Sequence, residues 1–148
     1  MELSESLAAL CGTTVEVSDP GGFPEQYLAT TKLRFSNGSW LVFLCWRAFV
    51  GDKCGPSSFD HRQKYGLPAP IDAISDLSKL LSGKKVARAV HDTRTGDLLI
   101  WFNGEIELQV LNVTGFEIWE IHFPDGTVEY SNQAKKWTGS QSASSGKA

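Results

Sequence analysis

The sequence predicts an α+β fold made of two halves, each a helix leading into an antiparallel β-meander, with both sheets sharing one core. Three features predict it. Asn103-Gly104 joins two apolar runs, and Asn-Gly readily supplies the two positive φ angles of a type I′ hairpin turn. Thr95-Gly96, Thr114-Gly115 and Pro124-Asp125-Gly126 punctuate the chain on either side at intervals of about ten residues, which extends the hairpin to a meander of up to five strands between Val86 and Tyr130. The halves also align. Leu7-x-x-Leu10, Gly12, Val15 and Leu33-x-Phe35-x-Asn37-Gly38 match Leu77-x-x-Leu80, Gly83, Val86 and Leu99-x-Trp101-x-Asn103-Gly104, at offsets of 70, 71 and 66 residues.

Taken in order, Leu3, Leu7 and Leu10 have helical spacing, with Glu2 and Glu5 early and Gly12 as a stop, so a short helix is predicted over about residues 3–11. Thr13–Ser18 alternates around Val15 and Val17 and reads as a strand, broken by Asp19-Pro20-Gly21-Gly22. A strand over Leu28–Phe35 meets the apolar run Ser39–Val50 through Asn37-Gly38, a second hairpin. Residues 51–70 show neither period and hold three Gly and three Pro, so they read as a long loop joining the halves, pinned by Phe59, Tyr65 and Leu67. Ile71, Ile74, Leu77 and Leu81 then mark one face of a helix, with Asp72 and Asp76 early, Lys79 late and Gly83 as the C-terminal stop. The expected organisation is one domain over residues 1–137, with halves at about 3–50 and 71–132, and a low-complexity, disordered tail at 138–148.

A chain of 148 residues with 41% hydrophobic content can bury a single core without a staple. Cys11, Cys45 and Cys54 are odd in number and form no Cys-x-x-Cys pair, so reduced, buried thiols are expected. The acidic N-terminus does not read as a signal peptide, and no apolar run approaches the roughly 20 residues of a membrane span, which points to the cytoplasm and away from a membrane. The net charge of −3 is mild but unevenly spread. From Thr95 to Ala134 there are seven acids and no Lys or Arg, leaving the 14 bases against ten of the 17 acids elsewhere.

Motifs for catalysis are sparse. His61, His91 and His122 lack metal-ligand spacing, and there is no phosphate-binding loop or nucleophile elbow, so no metal, no cofactor and no enzymatic activity are expected. The best enzymatic seed is Asp60-His61 near Cys54, where a Cys-His pair would activate a thiolate beside a ligand pocket. Lys84-Lys85 with Arg88 and Arg94, and Lys135-Lys136-Trp137, lack the interleaved aromatics of a nucleic-acid platform. Strand alternation instead sets Glu105, Glu107 and Gln109 on one face, with Ile106, Leu108 and Val110 on the other. In the next strand, aromatics and acids mix on both faces, and that mixture has interface chemistry: aromatics anchor while acids steer a basic partner. Glu105, Glu107, Glu117, Trp119, Glu120 and Glu129 are therefore the candidate partner-binding residues. A homodimer through exposed aromatics is the other interface reading.

Gly96-Asp-Leu-Leu-Ile-Trp-Phe-Asn-Gly and Gly115-Phe-Glu-Ile-Trp-Glu-Ile-His-Phe-Pro-Asp-Gly, within about residues 83–132, resemble strands of small bacterial immunity proteins of polymorphic toxin systems. The resemblance implies a cytosolic domain that binds and blocks a cognate toxin protein, and it fixes no contact residue. It gives the acids a role: an acidic patch would occupy a basic groove of the toxin through charge-assisted hydrogen bonds. Reversing Glu105 and Glu107 to Lys would then slow association.

Overall fold

In the computed structural model, which describes residues 2–131, the buried faces of two five-stranded antiparallel sheets and two helices meet in one α+β core. The first sheet has the order β1 (Val15–Ser18), β2 (Thr31–Phe35), β3 (Trp40–Phe43), β9 (Trp119–His122), β10 (Val128–Tyr130). The second has the order β5 (Lys53–Ser57), β4 (Trp46–Val50), β8 (Ile106–Val110), β7 (Leu98–Phe102), β6 (Val86–His91). Each half of the chain thus supplies three strands to one sheet and two to the other. The first-half helix α1 (Leu3–Ala8) lies against β6, and the second-half helix α2 (Ala73–Leu81) lies against β1. Thr14 and Lys85 bridge where the halves meet, flanked by Gly12 N–H to Val86 C=O at 2.7 Å and Val86 N–H to Thr13 C=O at 2.8 Å.

The predicted separation of one sheet per half does not hold, because each meander is cut where the chain changes sheets. The run Ser39–Val50 breaks at Leu44-Cys45: Leu41 and Phe43 face the core in β3, and Trp46 and Ala48 face it in β4. The change from odd to even positions is the signature of that break, since a continuous strand keeps its period of two. The five-strand meander is cut likewise between Val110 and Trp119, so β6–β8 and β9–β10 lie in different sheets. The stretch expected as one long loop contains the edge strand β5 and a 3-10 turn over Ser58–Asp60, with Pro56 tolerated because an edge strand has a row of unpaired amides. The strand expected from Leu28 begins at Thr31, after a 3-10 turn at Glu25–Tyr27, and α1 ends at Ala8 rather than Cys11.

Both hairpin positions were legible, but their turn type was not. Phe102 pairs with Ile106 and Phe35 N–H donates to Ser39 C=O, so each loop has three residues. In the second, the positive angles fall on Gly104 (φ 88°) and Glu105 (φ 61°), and Asn103 stays at negative φ; this is not a type I′ turn. The alignment of the halves shifts as a consequence. Leu33 and Phe35 point inward as Ile100 and Phe102 do, whereas Leu99 and Trp101 face out, so the structural offset in these strands is 67 rather than 66. A slip of one residue exchanges the two faces of a strand.

α2 forms as its pattern requires. Asp72 accepts from Ser75 N–H at 3.0 Å as the N-cap, Ile74, Leu77 and Leu81 are buried, and Gly83 turns the chain out at φ 74°. The cysteines depart from expectation, since Cys11 and Cys54 are exposed and Cys45 is half-buried; all three are free thiols. Cys11 follows α1 in an open turn and Cys54 sits on the edge strand, so neither reaches the core. No helix among the described residues is long and apolar enough to cross a membrane. The expectations for Lys135-Lys136-Trp137 and the 138–148 tail lie outside the described residues.

Candidate functional site

Matching positions in the two halves build the same joint twice. Trp46 and Trp119, each the first residue after a change of sheet, are 1% and 2% exposed. Trp46 Nε1–H donates to Ala29 C=O at 3.2 Å, and Trp119 Nε1–H donates to Gly96 C=O at 2.9 Å, each acceptor standing two residues before the second strand of its meander. Ser58 Oγ accepts from Trp46 N–H and Ser131 Oγ accepts from Trp119 N–H. A buried indole N–H needs such an acceptor, so these contacts hold the fold together.

The halves differ most at two connections, each six residues longer than its counterpart, and both differences converge. The β1–β2 connection spans residues 19–30, against 92–97 for β6–β7; the crossover from β8 to β9 spans residues 111–118, against 44–45 for β3 to β4. The two longer connections line one open groove of about 480 Å³. Phe23, Pro24, Tyr27 and Thr30 come from the first, Glu117 and Ile118 from the second, Val42 and Phe43 from the end of β3, Leu44 from the short crossover after it, and Trp119, Glu120 and Tyr130 from β9 and β10. Phe23 and Tyr27 are 41% and 43% exposed, and Phe116 beside the rim is 69% exposed, an uncommon density of aromatic surface for a groove with so apolar a floor.

The groove's electrostatics are simple. Glu117 and Glu120 are the only charged residues among its described lining, and Glu120 Oε2 lies 3.4 Å from His122 Nε2. His122 stacks on Trp40 at 3.6 Å, and Lys32 Nζ sits 4.5 Å over the Trp40 ring, so these residues extend the outer face of the first sheet beyond the groove. Thr30 Oγ1 donates to Tyr27 C=O and the Trp119 indole is bonded to Gly96, so neither is a free donor into the groove.

Of the six predicted contact residues, the structure gathers three here and disperses three. Glu117 and Glu120 line the groove. Trp119 forms its buried floor and is not the exposed anchor expected, because its ring points toward the core. Neither Glu105 nor Glu107 lines the groove: Glu105 stands in the turn before β8, not on a strand face as alternation suggested, and Glu107 lies on β8 of the other sheet. There the base-free stretch acquires bases through strand pairing. Gln109 Nε2 donates to Glu107 at 2.8 Å and Gln109 Oε1 accepts from Arg47 Nε at 2.6 Å, while Arg88 lies 5.0 Å over the Trp101 ring beside Glu107. Glu129 is paired across from inward-facing Ile121 on β10, and its charge acts on His91, which meets Trp119 edge to face at 5.9 Å. The single acidic patch is therefore not formed.

The rival residues separate as well. His61 Nδ1 accepts from Ala73 N–H at 3.1 Å at the start of α2, and Asp60 accepts from Ser57 Oγ and Tyr65 OH. The Tyr65 phenol is pushed up by desolvation and by its bond to Asp60. Cys54 stands exposed on edge strand β5, opposite Phe49, and no hydrogen bond joins it to His61 among the described residues. A smaller pocket of about 280 Å³ is lined by His61, Arg62 and Asp72, and neither Asp60 nor Cys54 is among its lining residues. Among the described residues, no group of three His, Cys, Asp or Glu side chains is placed to hold a metal ion.

Sequence reasoning missed Phe23, Tyr27 and Tyr130. The available signal was Gly21-Gly22-Phe23-Pro24, an aromatic in a breaker cluster where the other half has only a short turn. No family model, curated protein or solved structure matches the chain.

Proposed function

We propose that this chain is a non-catalytic protein-binding inhibitor, an immunity protein that neutralises a cognate bacterial toxin in the cytosol, and that it engages the toxin through the aromatic and acidic groove of the first sheet. One observation carries the reading: the two connections that differ most between the halves meet at a single groove. Loops that lengthen on an otherwise repeated scaffold are where a fold accommodates function. The groove pairs exposed rings with two carboxylates, the composition of a partner anchor with charge steering. The acids that matter are then Glu117 and Glu120, and Glu105 and Glu107, which do not line the groove, are bystanders.

The test is affinity capture from the native bacterial lysate at low and high salt, using the full chain, a Tyr27→Ala/Glu117→Lys variant and a Glu105→Lys/Glu107→Lys variant. One stoichiometric protein should be held by the first and third and lost by the second. Expressed alone, that protein should arrest growth, and co-expression of the chain should restore it. Equal capture by all three variants would remove the groove from the reading, and a captured protein without toxicity would remove the toxin.

A further inference from the structure

The apolar floor of Val42, Phe43, Leu44, Ile118 and Trp119 lies below a rim that holds Phe23, Tyr27 and Tyr130, and the described lining carries two negative charges and no positive one. That combination selects against most ligand classes. An anionic group would face Glu117 and Glu120 without a compensating cation. A neutral polar molecule would find Thr30 and the Trp119 indole already bonded to backbone carbonyls. The two carboxylates and two tyrosine hydroxyls that remain reward a donor-rich cation more than a neutral group. A folded protein face cannot enter a groove of about 480 Å³, whereas one large side chain and its neighbours can.

Resting on the binding role argued above, we propose that the groove takes a linear segment of the partner in which an aromatic side chain stands next to Lys or Arg. The ring covers the apolar floor and meets the edges of Tyr27 and Tyr130, and the neighbouring cation is held by Glu117 and Glu120. Aromatic rims also favour a flanking cation through their ring faces. The partner's segment is therefore recognised by two chemistries that must be adjacent, and each alone binds poorly.

The probe is a short capped peptide, Gly-Ser-Lys-Lys-Trp-Gly-Ser, titrated into the full isotope-labelled chain and followed by amide NMR. Two control peptides replace Lys-Lys by Glu-Glu, or Trp by Ala. Binding is expected to shift resonances at Tyr27, Glu117 and Glu120, and both controls should bind about tenfold more weakly or worse. Glu117→Gln/Glu120→Gln should lower the affinity and its salt dependence, and Glu105→Gln should leave both unchanged. These are surface positions, and an unchanged spectrum elsewhere shows that each variant is folded. No binding of the Lys-Lys-Trp peptide, or equal binding of the Glu-Glu form, would overturn the proposal. If lysate capture still depends on the groove while no peptide binds, the partner presents something other than a linear segment and the inhibitor reading survives alone. The chain's own Lys135-Lys136-Trp137 has the same chemistry. Tighter peptide binding by Trp137→Ala would therefore overturn the proposal by assigning the groove to that segment.

Discussion

Replacing Trp119 by Phe tests whether the indole N–H is what fixes the joint between the sheets. The Gly96 carbonyl, now 2.9 Å from Nε1, would lose its donor inside a buried site. Orphaning such a group costs roughly 1–3 kcal/mol, and the smaller ring adds a methyl-sized void worth about 1 kcal/mol. The sum is about 2–4 kcal/mol, a melting temperature lower by roughly 10 °C for a domain of this size. Trp46→Phe should cost somewhat less, because Trp46 is equally buried but its acceptor, the Ala29 carbonyl at 3.2 Å, belongs to a half-buried residue. Trp101→Phe serves as the comparison. Trp101 is half-buried on the outer face under Arg88, so its loss should stay within about 1 kcal/mol. Urea unfolding followed by far-UV circular dichroism measures all three, with equal m-values as the condition for comparing midpoints. If Trp119→Phe and Trp46→Phe cost no more than Trp101→Phe, the two indole bonds contribute nothing beyond ring packing and the joint is held by something else.

Burial beside Trp119 pulls the His91 imidazole below its ordinary value, against the opposing charges of Asp92, Glu129 and Asp97. The unfolded chain therefore takes up this proton first as pH falls, so the stabilisation is complete above about pH 6.5 and is lost below it as the pH approaches the folded-state value. His91→Phe should flatten the urea midpoint across that window, and a slope equal to that of the parent would show that other groups set it. Asp72→Ala removes the acceptor for Ser75 N–H at the start of α2 and should lower stability by about 1 kcal/mol. Asp72→Ser should restore most of that, and a neutral Asp72→Ala would mean that His61, bonded to Ala73 N–H, is cap enough.

Local chemistry made the elements legible. The hairpins sit at Asn37-Gly38 and Asn103-Gly104, α2 carries its cap and its apolar face, and Ile106, Leu108 and Val110 face the core as alternation requires. Pairing between distant strands was not legible, because β3 meets β9 and β4 meets β8 across more than fifty residues of chain. Nothing local encodes those partners. The acidic patch failed for that reason: Glu107 is far from Arg47 in sequence, yet strand pairing brings Arg47 next to it through Gln109. The one-residue error in aligning the halves came from taking Asn-Gly as a fixed landmark. It occupies the second and third positions of one three-residue loop and the first and second of the other.

The same comparison of halves separates what holds the fold from what the fold presents. Positions that correspond, such as Trp46 with Trp119 and Ser58 with Ser131, are buried or half-buried and bonded to backbone. Residues without a counterpart, such as Phe23, Tyr27 and Glu117, are exposed and gather at one groove. Trp119 belongs to both sets, since its indole closes the joint while the residue floors the groove. A binding defect in Trp119→Phe would therefore be ambiguous between lost contact and a loosened joint. Tyr27 and Glu117 carry no such ambiguity: they stand on connections that are six residues shorter in the other half, so a binding loss at either, with stability unchanged, belongs to the groove alone.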